Sequence, residues 1–134
     1  MSSHAILLPP GWPRPKGYAN GIAADGRLVV TGGVVGWDEE ERFVAQTTAG
    51  QFRQVLLNTL AILREGGAGP EHIVRMTWYV TSIAEYRESL GDIGTAWREL
   101  MGRNYPAMAV VEVAALVEPA ARIEIETTAV VPEL

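Results

Sequence analysis

Two stretches in the last third of the chain decide the fold: Tyr-Pro-Ala-Met-Ala-Val-Val-Glu-Val at residues 105–113 and Arg-Ile-Glu-Ile-Glu at residues 122–126. Apolar and β-branched residues alternate along both, which is the pattern of half-buried strands. Pro119, in the segment between them, cannot continue a strand ladder and therefore predicts a turn or loop. Glu112 and Glu124 are thus expected on strands rather than in solvated loops, and we look for the chemistry of the protein there.

The N-terminal part of the chain predicts an extended arm followed by a hairpin. Residues 1–17 hold four of the eight prolines, so they cannot form a helix, and we expect Trp12 to pack this arm onto the body. Two strand-like runs, residues 18–24 and 28–31, flank an Asp-Gly pair, which is typical of a β-hairpin.

The middle of the chain predicts two amphipathic helices separated by a strand. The first begins with Thr48-Ala49-Gly50-Gln51, a sequence that fits a capping box, and the second begins near Ile83. Gly91 and Gly94 lie inside the second apolar stripe and predict an interruption there.

The resulting order, β-β-α-β-α-β-β, predicts an α/β (α+β) sandwich: a mixed sheet with two helices packed on one face. The other face of the sheet is then uncovered, and we expect it to be rather apolar. Exposed apolar surface of that extent favours self-association.

Length and composition exclude several function classes. A chain of 134 residues is expected to form a single domain, and its formal net charge of -5 argues against a nucleic-acid partner, because phosphate contacts need a basic surface. The sequence has no apolar run of membrane-spanning length and no recognisable signal peptide, which predicts a cytoplasmic protein without membrane contact. With no cysteine and two isolated histidines, His4 and His72, it offers neither a catalytic triad nor a zinc site. We therefore expect no metal and no cofactor.

Two further motifs have simple structural explanations. Gly32 and Gly33 end the second strand-like run, but no Lys-Ser/Thr pair or helix follows, so they fit a strand bend or a close backbone approach better than a phosphate loop. The acidic run at residues 38–41 is most simply a solvated turn.

The two C-terminal stretches resemble the Rid family, the reactive intermediate deaminases, also called YjgF or L-PSP endoribonucleases. The resemblance rests on Tyr-Pro-Ala-x-x-x-Val-Glu-Val followed by Ile-Glu-Ile-Glu, and covers the chain from about Tyr18 onward. It implies one Rid-like domain over residues 1–134, with residues 1–17 as its extended arm. It implies a chorismate-mutase-like fold, a homotrimer, and a small-molecule ligand in clefts between subunits. Members usually carry an arginine directly after Pro-Ala, whereas this chain has Met108.

The resemblance also implies which residues form the site. In the family an arginine clamps the substrate carboxylate and a glutamate holds the hydrolytic water. On this chain the catalytic glutamate matches Glu124, and the substrate-binding positions match Tyr18, Gly32, Gly33, Trp97 and Met108. The second-helix asparagine of the family falls at Gly94. Methionine cannot replace the bidentate fork of arginine, and we interpret Arg75 and Arg122 as surface residues rather than substitutes.

These assignments leave two functions open. One is an enzyme that hydrolyses a reactive imine or enamine to a carbonyl compound and ammonia, with altered specificity and weak or absent activity on small 2-imino acids. Its substrate would be less anionic or more apolar than those. The alternative is a non-catalytic trimer that binds or senses a small molecule in the same cleft. The ribonuclease label is least favoured, because the chain is acidic and lacks a histidine pair.

We predict a homotrimer that buries the sheet face carrying either Met108 or its neighbour Val111. Native mass spectrometry at low micromolar concentration should record the trimer mass, because the uncovered face would otherwise expose apolar surface. A spectrum of monomers alone would contradict the prediction.

Overall fold

The fold is built around a five-stranded mixed sheet in which β7, the second of the two deciding stretches, is the longest strand. The computed structural model describes residues 4–133. Its strands are β1 (Ala5–Ile6), β2 (Ile22–Ala23), β3 (Arg27–Val30), β4 (Val34–Val35), β5 (Ile73–Val80), β6 (Ala107–Glu112) and β7 (Ile123–Val131). The helices are α1 (Thr48–Glu65), α2 (Ile83–Glu88) and α3 (Leu90–Met101), with a 3₁₀ turn at Pro70–His72.

The sheet has the order β3-β7-β5-β6, with β4 also paired to β7. β5 and β6 are parallel, joined by the crossover through α2 and α3, and the remaining pairs are antiparallel. Because side chains alternate along each strand, the sheet has a covered face towards the helices and an open face. The predicted mixed α+β architecture is confirmed.

Helix α1 packs the stripe that the sequence predicted against the covered face. Its apolar side chains meet the alternate residues of β5 and β7 that point to the same side. The fully buried members of this core include Phe52, Val55, Leu56, Leu63, Met76, Val80, Ile123 and Ile125. In the described part of the chain, no helix is both long and apolar enough to cross a membrane.

The second predicted helix is interrupted close to Gly91, as expected. α2 ends at Glu88 and α3 begins at Leu90, with Ser89 between them. The hydroxyl of Ser89 donates to the carbonyl of Glu85, so the break is made by a side chain that bonds the preceding turn. Gly94 lies inside the continuous helix α3, which leaves its missing side chain to be explained by packing.

The N-terminal predictions need two corrections. The strands around Asp25-Gly26 do not pair with each other, because β2 pairs with β1 and β3 pairs with β7. The turn therefore passes the chain from a small two-stranded sheet to the main one. The arm is extended, but Trp12 is 60% exposed and does not pack on the body of the protomer. Residues 1–3 of the predicted arm lie outside the described residues.

The open face is less apolar than the sequence suggested. Met108 pairs with Met76 and faces the helices, so the open face belongs to Val111 and its neighbours. The centre of that face is polar, and its apolar side chains lie along the two edges of the sheet. The polar residues are Arg75, Thr77, Tyr79, Glu124, Glu126 and Thr128, and the exposed apolar residues are Leu28, Val30 and Val111.

Gln51 does not complete a capping box; it ties three segments together. The N-cap of α1 is Thr47, whose hydroxyl accepts from the Gly50 amide. The Gln51 side chain is 1% exposed, and its amide group donates to the carbonyls of Ala45 and Ala120 at 3.2 and 3.0 Å. Its oxygen accepts from the Arg122 amide at 2.7 Å. The start of α1 thereby holds the segment that leads into β7.

Replacing Gln51→Ala should lower the free energy of unfolding by about 2–4 kcal/mol, because three part-buried hydrogen bonds to the backbone are lost. Urea unfolding at a fixed protein concentration measures the change. Gln46→Ala, at an exposed position, is the matched control and should stay within about 0.5 kcal/mol of the wild type. Equal effects of the two substitutions would contradict the role given to Gln51.

Candidate functional site

A pocket of about 540 Å³ lies on the covered side of the sheet, between β6, α3 and the segment that precedes β2. β6 contributes Met108, which stands beside Trp78 and Val110. The N-terminal segment runs along the start of β6, because the Ala19 amide donates to the Pro106 carbonyl at 2.9 Å. The complete lining is Lys16, Gly17, Tyr18, Trp78, Tyr86, Leu90, Ile93, Gly94, Trp97, Arg98, Tyr105, Met108 and Val110.

Stacked aromatic rings form one wall of this pocket. The rings of Trp97 and Tyr105 are nearly parallel, at 10° with centroids 6.0 Å apart, and Trp78 stacks on Trp97 at 6.1 Å. Tyr86 meets Trp78 edge-on, and burial raises the pKa of Tyr86, which keeps its hydroxyl protonated. Both indole N–H groups are buried without an acceptor among residues 4–133. A buried donor without an acceptor costs about 1–3 kcal/mol. The described part of a single protomer therefore leaves the two indole N–H groups of this wall without a hydrogen-bond acceptor.

The charged residues of the pocket are both basic. Lys16 and Arg98 line it, and the lining contains no acidic residue. Neither side chain takes part in a hydrogen bond or ion pair within the described range 4–133. The Arg98 guanidinium lies over Gly94, where a Cβ would stand 3.2 Å from Nη1.

Glu124 lies on the open face, against the glycine pair that follows β3. A Cβ on Gly33 would overlap the Glu124 carboxylate, so glycine at this position is what lets the carboxylate lie there. Glu124 is partly exposed and forms no ion pair or hydrogen bond within residues 4–133. It is therefore not the strand glutamate paired with an arginine that a purely structural role would predict.

The other two strand glutamates have structural partners. Glu126 accepts a hydrogen bond from the Tyr79 hydroxyl at 2.8 Å. This bond is the main cause that raises the pKa of Tyr79, with burial and then the charges of Glu126 and Glu124 adding to it. Glu112 accepts from the Ile83 amide and so caps the start of α2. Glu124 is the strand glutamate whose carboxylate remains available.

Comparison with known proteins identifies the family. A family model described as Endoribonuclease L-PSP matches residues 13–131, which is most of the chain. The chain belongs to the L-PSP, or Rid, family. The fold is similar to that of a protein of unknown function of the conserved Rid family from Yersinia pestis, with a TM-score of 0.82 and 29% identity, covering 96% of this chain and 98% of that one.

Two other relatives extend the comparison. A structure from Rhodopseudomonas palustris, described as a probable translation initiation inhibitor, is 28% identical with a TM-score of 0.70, and covers 98% of this chain and 100% of that one. A RutC family protein of Aquifex aeolicus is 32% identical over 80 residues, or 59% of this chain. That match spans 63% of the length of the curated relative.

The residues matched to the Rid site fall on two sides of the sheet. Tyr18, Trp97 and Met108 line the pocket, whereas Glu124 lies on the open face beside Gly33, which directly follows Gly32 in the chain. The register explains the separation, because Met108 pairs with buried Met76 and Glu124 pairs with Tyr79. Trp97 is 5% exposed and belongs to the core as well as to the pocket wall.

Sequence reasoning missed Arg98 and Lys16. Arg98 directly follows Trp97 and lies four residues after Gly94, a spacing that puts both positions on one side of a helix. That signal could have identified Arg98 as a pocket residue of this Rid protein. Of the two arginines considered earlier, Arg122 pairs with Glu85 at 2.9 Å and Arg75 lies on the open face. In residues 4–133 no three His, Asp or Glu side chains are grouped as metal ligands.

The tyrosine–glutamate pair on the open face gives a pH-dependent prediction. Glu126→Gln should lower the pKa of Tyr79, because it removes the carboxylate acceptor and a negative charge. Glu124→Gln should lower it less, since Glu124 acts on Tyr79 only through its charge. Absorbance titration of tyrosinate, with Tyr79→Phe to assign the transition, measures both shifts. An unchanged Tyr79 transition in Glu126→Gln would contradict the pairing.

Proposed function

We propose that the protein hydrolyses a reactive imine or enamine to a carbonyl compound and ammonia, in a cleft completed between the subunits of a cytoplasmic homotrimer. Glu124 is the proposed catalytic residue. The observation that carries the proposal is the unpaired carboxylate of Glu124, held against Gly33 on a central strand of the sheet. A carboxylate without an ion-pair partner can accept a proton from a bound water.

The cleft requires a second subunit. Met108 and Glu124 belong to opposite faces of one sheet, so the two side chains of a single protomer cannot contact one small ligand. The pocket opens beside the edge strand β6, where Tyr18 is 44% exposed. Exposed apolar residues at the sheet edges, such as Val30 and Val111, are suited to packing against another copy. A copy placed at this edge brings the glycine–glutamate side of one subunit to the pocket of the next.

The chemistry needs one water and no redox partner. Glu124 takes a proton from water as the oxygen adds to the imine carbon, forming a tetrahedral carbinolamine. The same carboxyl returns that proton to nitrogen, which completes the neutral carbinolamine. Glu124 then passes the hydroxyl proton of the carbinolamine to its amino nitrogen as the C–N bond breaks, and the carbonyl compound and ammonia leave. An enamine enters the same sequence after it tautomerises to the imine. In this proposal the backbone amides of Gly32 and Gly33 orient the polar groups of such an intermediate.

Met108 changes which substrate this machinery would accept. A small 2-imino acid depends on a clamp for its carboxylate, and the thioether of Met108 offers none. The pocket around Met108 is walled by aromatic rings, which favours a larger and more apolar substrate.

A non-catalytic binding or sensing trimer is the second candidate. Methionine and glycine stand at three positions, Met108, Gly32 and Gly94, where the family's polar substrate contacts are expected. Retained binding of a ligand without turnover of any imine would favour this candidate over the enzyme.

The Met108 position provides a test of the enzyme. Met108→Arg should raise kcat/KM on iminopyruvate by about one to two decades, because one charge-assisted bond contributes roughly 1.5–3 kcal/mol. Iminopyruvate is generated enzymatically, and its decay is followed with wild-type protein, with Met108→Arg and without protein.

Glu124→Gln in the Met108→Arg background is the control and should return decay to the rate without protein. If Met108→Arg gains nothing and wild-type protein is also inactive on every imine tried, the binding role replaces the enzyme. Efficient wild-type turnover of iminopyruvate that Met108→Arg leaves unchanged would show that another group binds the carboxylate of small substrates.

A further inference from the structure

We infer that the pocket beside Met108 selects a planar aromatic ligand that carries a carboxylate, and that Arg98 on α3 holds this carboxylate. The inference rests on the proposed function and names the substrate class of the same site. Its chemical form is a 2-imino acid with an aryl side chain, R–C(=NH)–COO⁻, which takes up one water to give R–C(=O)–COO⁻ and ammonia.

The charge of the pocket is the first argument. Arg98 and Lys16 bring two positive charges to a lining that has no acidic residue, in a chain whose formal net charge is -5. Neither cation has an ion-pair partner within residues 4–133. A guanidinium can bind a carboxylate through two parallel hydrogen bonds, and Arg98, which is exposed and lines the pocket, is available to an anionic ligand there.

Gly94 supplies the second argument. Within α3 a glycine lowers helix stability relative to alanine, and here it makes room for one side chain: a Cβ would stand 3.2 Å from Nη1 of Arg98. Helical side chains lean towards the N-terminus, onto the residue one turn earlier. Gly94 therefore leaves room for the guanidinium of Arg98, an exposed residue at the mouth of the pocket, to lie along the helix.

The walls argue for the aromatic part of the ligand. Trp97 and Tyr105 stack almost parallel, with Tyr86 and the thioether of Met108 also in the lining. Flat rings and a methionine sulfur favour an aromatic partner. A volume of about 540 Å³ falls in the usual range for ligand pockets, and a three-carbon acid would leave most of it empty.

Arg98 on α3 thus takes the role of the arginine that the family carries after Pro-Ala, on β6. Arg122 is occupied by Glu85, and Arg75 points to the other face of the sheet. Arg98 is the arginine that shares the pocket with Met108. A carboxylate held at the helix rather than at β6 leaves space over Met108 for a ring.

The test measures binding with an unreactive probe, 3-phenylpropanoate, by calorimetry on the intact oligomer. Wild-type protein should bind 3-phenylpropanoate at least about tenfold more tightly than the uncharged 3-phenylpropanamide, and more tightly than 3-cyclohexylpropanoate or propanoate. Arg98→Met should weaken the binding of 3-phenylpropanoate about tenfold or more and leave the affinity for 3-phenylpropanamide unchanged. Arg103→Met, which removes an exposed arginine outside the pocket lining, is the matched control and should change neither affinity.

Two glycine substitutions test whether binding depends on the position of the Arg98 guanidinium as well as on its charge. Gly94→Ala should weaken the binding of 3-phenylpropanoate, because the added methyl would lie 3.2 Å from Nη1 of Arg98 and require the guanidinium to shift. Gly91→Ala, in the same helix but with nothing within 4 Å of the added methyl, should not. Neither substitution disfavours the helix, because alanine has a higher helix propensity than glycine, so weaker binding in Gly94→Ala alone reports the contact with Arg98.

Equal affinity of wild-type protein for 3-phenylpropanoate and 3-phenylpropanamide would overturn the inference. An equal loss of 3-phenylpropanoate binding in Arg98→Met and Arg103→Met, or no binding to wild-type protein, would overturn it as well. Failure of the proposed function is a separate result. In that case 3-phenylpropanoate binds in the Arg98-dependent manner, but the imine that an amino-acid oxidase forms from phenylalanine decays no faster with protein, and Glu124→Gln changes nothing. If the inference and the proposed function both hold, Glu124→Gln abolishes turnover of this imine and leaves the binding of 3-phenylpropanoate intact.

Discussion

The two-residue alternation along β5, β6 and β7 is the constraint on which the rest of the structure depends. It sends Met76, Trp78 and Ile125 under the helices and turns Tyr79, Glu124 and Glu126 to the open face. Both halves of the candidate site are consequences of the same register: a pocket on one side and a free carboxylate on the other. A shift of one residue would exchange the faces and remove both.

Much of the fold could be predicted because it depends on local pattern. The alternation around Glu124 predicted the faces of β7, and the helical stripe from Phe52 to Leu63 predicted the buried side of α1. The pairing of the N-terminal strands depended on distant contacts instead. The strands around Asp25-Gly26 resemble a hairpin, yet β3 finds its partner in β7, about a hundred residues later. Local turn chemistry does not decide between two antiparallel partners.

The candidate site, like the fold, could be predicted from the sequence only in part. Residue types were sufficient to single out Glu124 and Met108, because a strand glutamate and a missing arginine stand out in the sequence. Arg98 was missed, since a charged residue on an amphipathic helix normally faces water; Arg98 is exposed, and only the fold shows that it also lines the pocket beside Gly94. The middle of the open face was predicted as more apolar than it is, because Met108 belongs to the other side.

The three bonds of Gln51 also bear on the order in which the chain assembles. They connect positions 6, 69 and 71 residues apart in sequence, so the two longer connections form only after most of the chain has come together. The loop before β7 gains its anchor at that stage, and with it the start of the strand that carries Glu124. The open-face half of the candidate site thus depends on contacts far apart in sequence, whereas the helix α3, which carries Trp97 and Arg98, is built from contacts one turn apart.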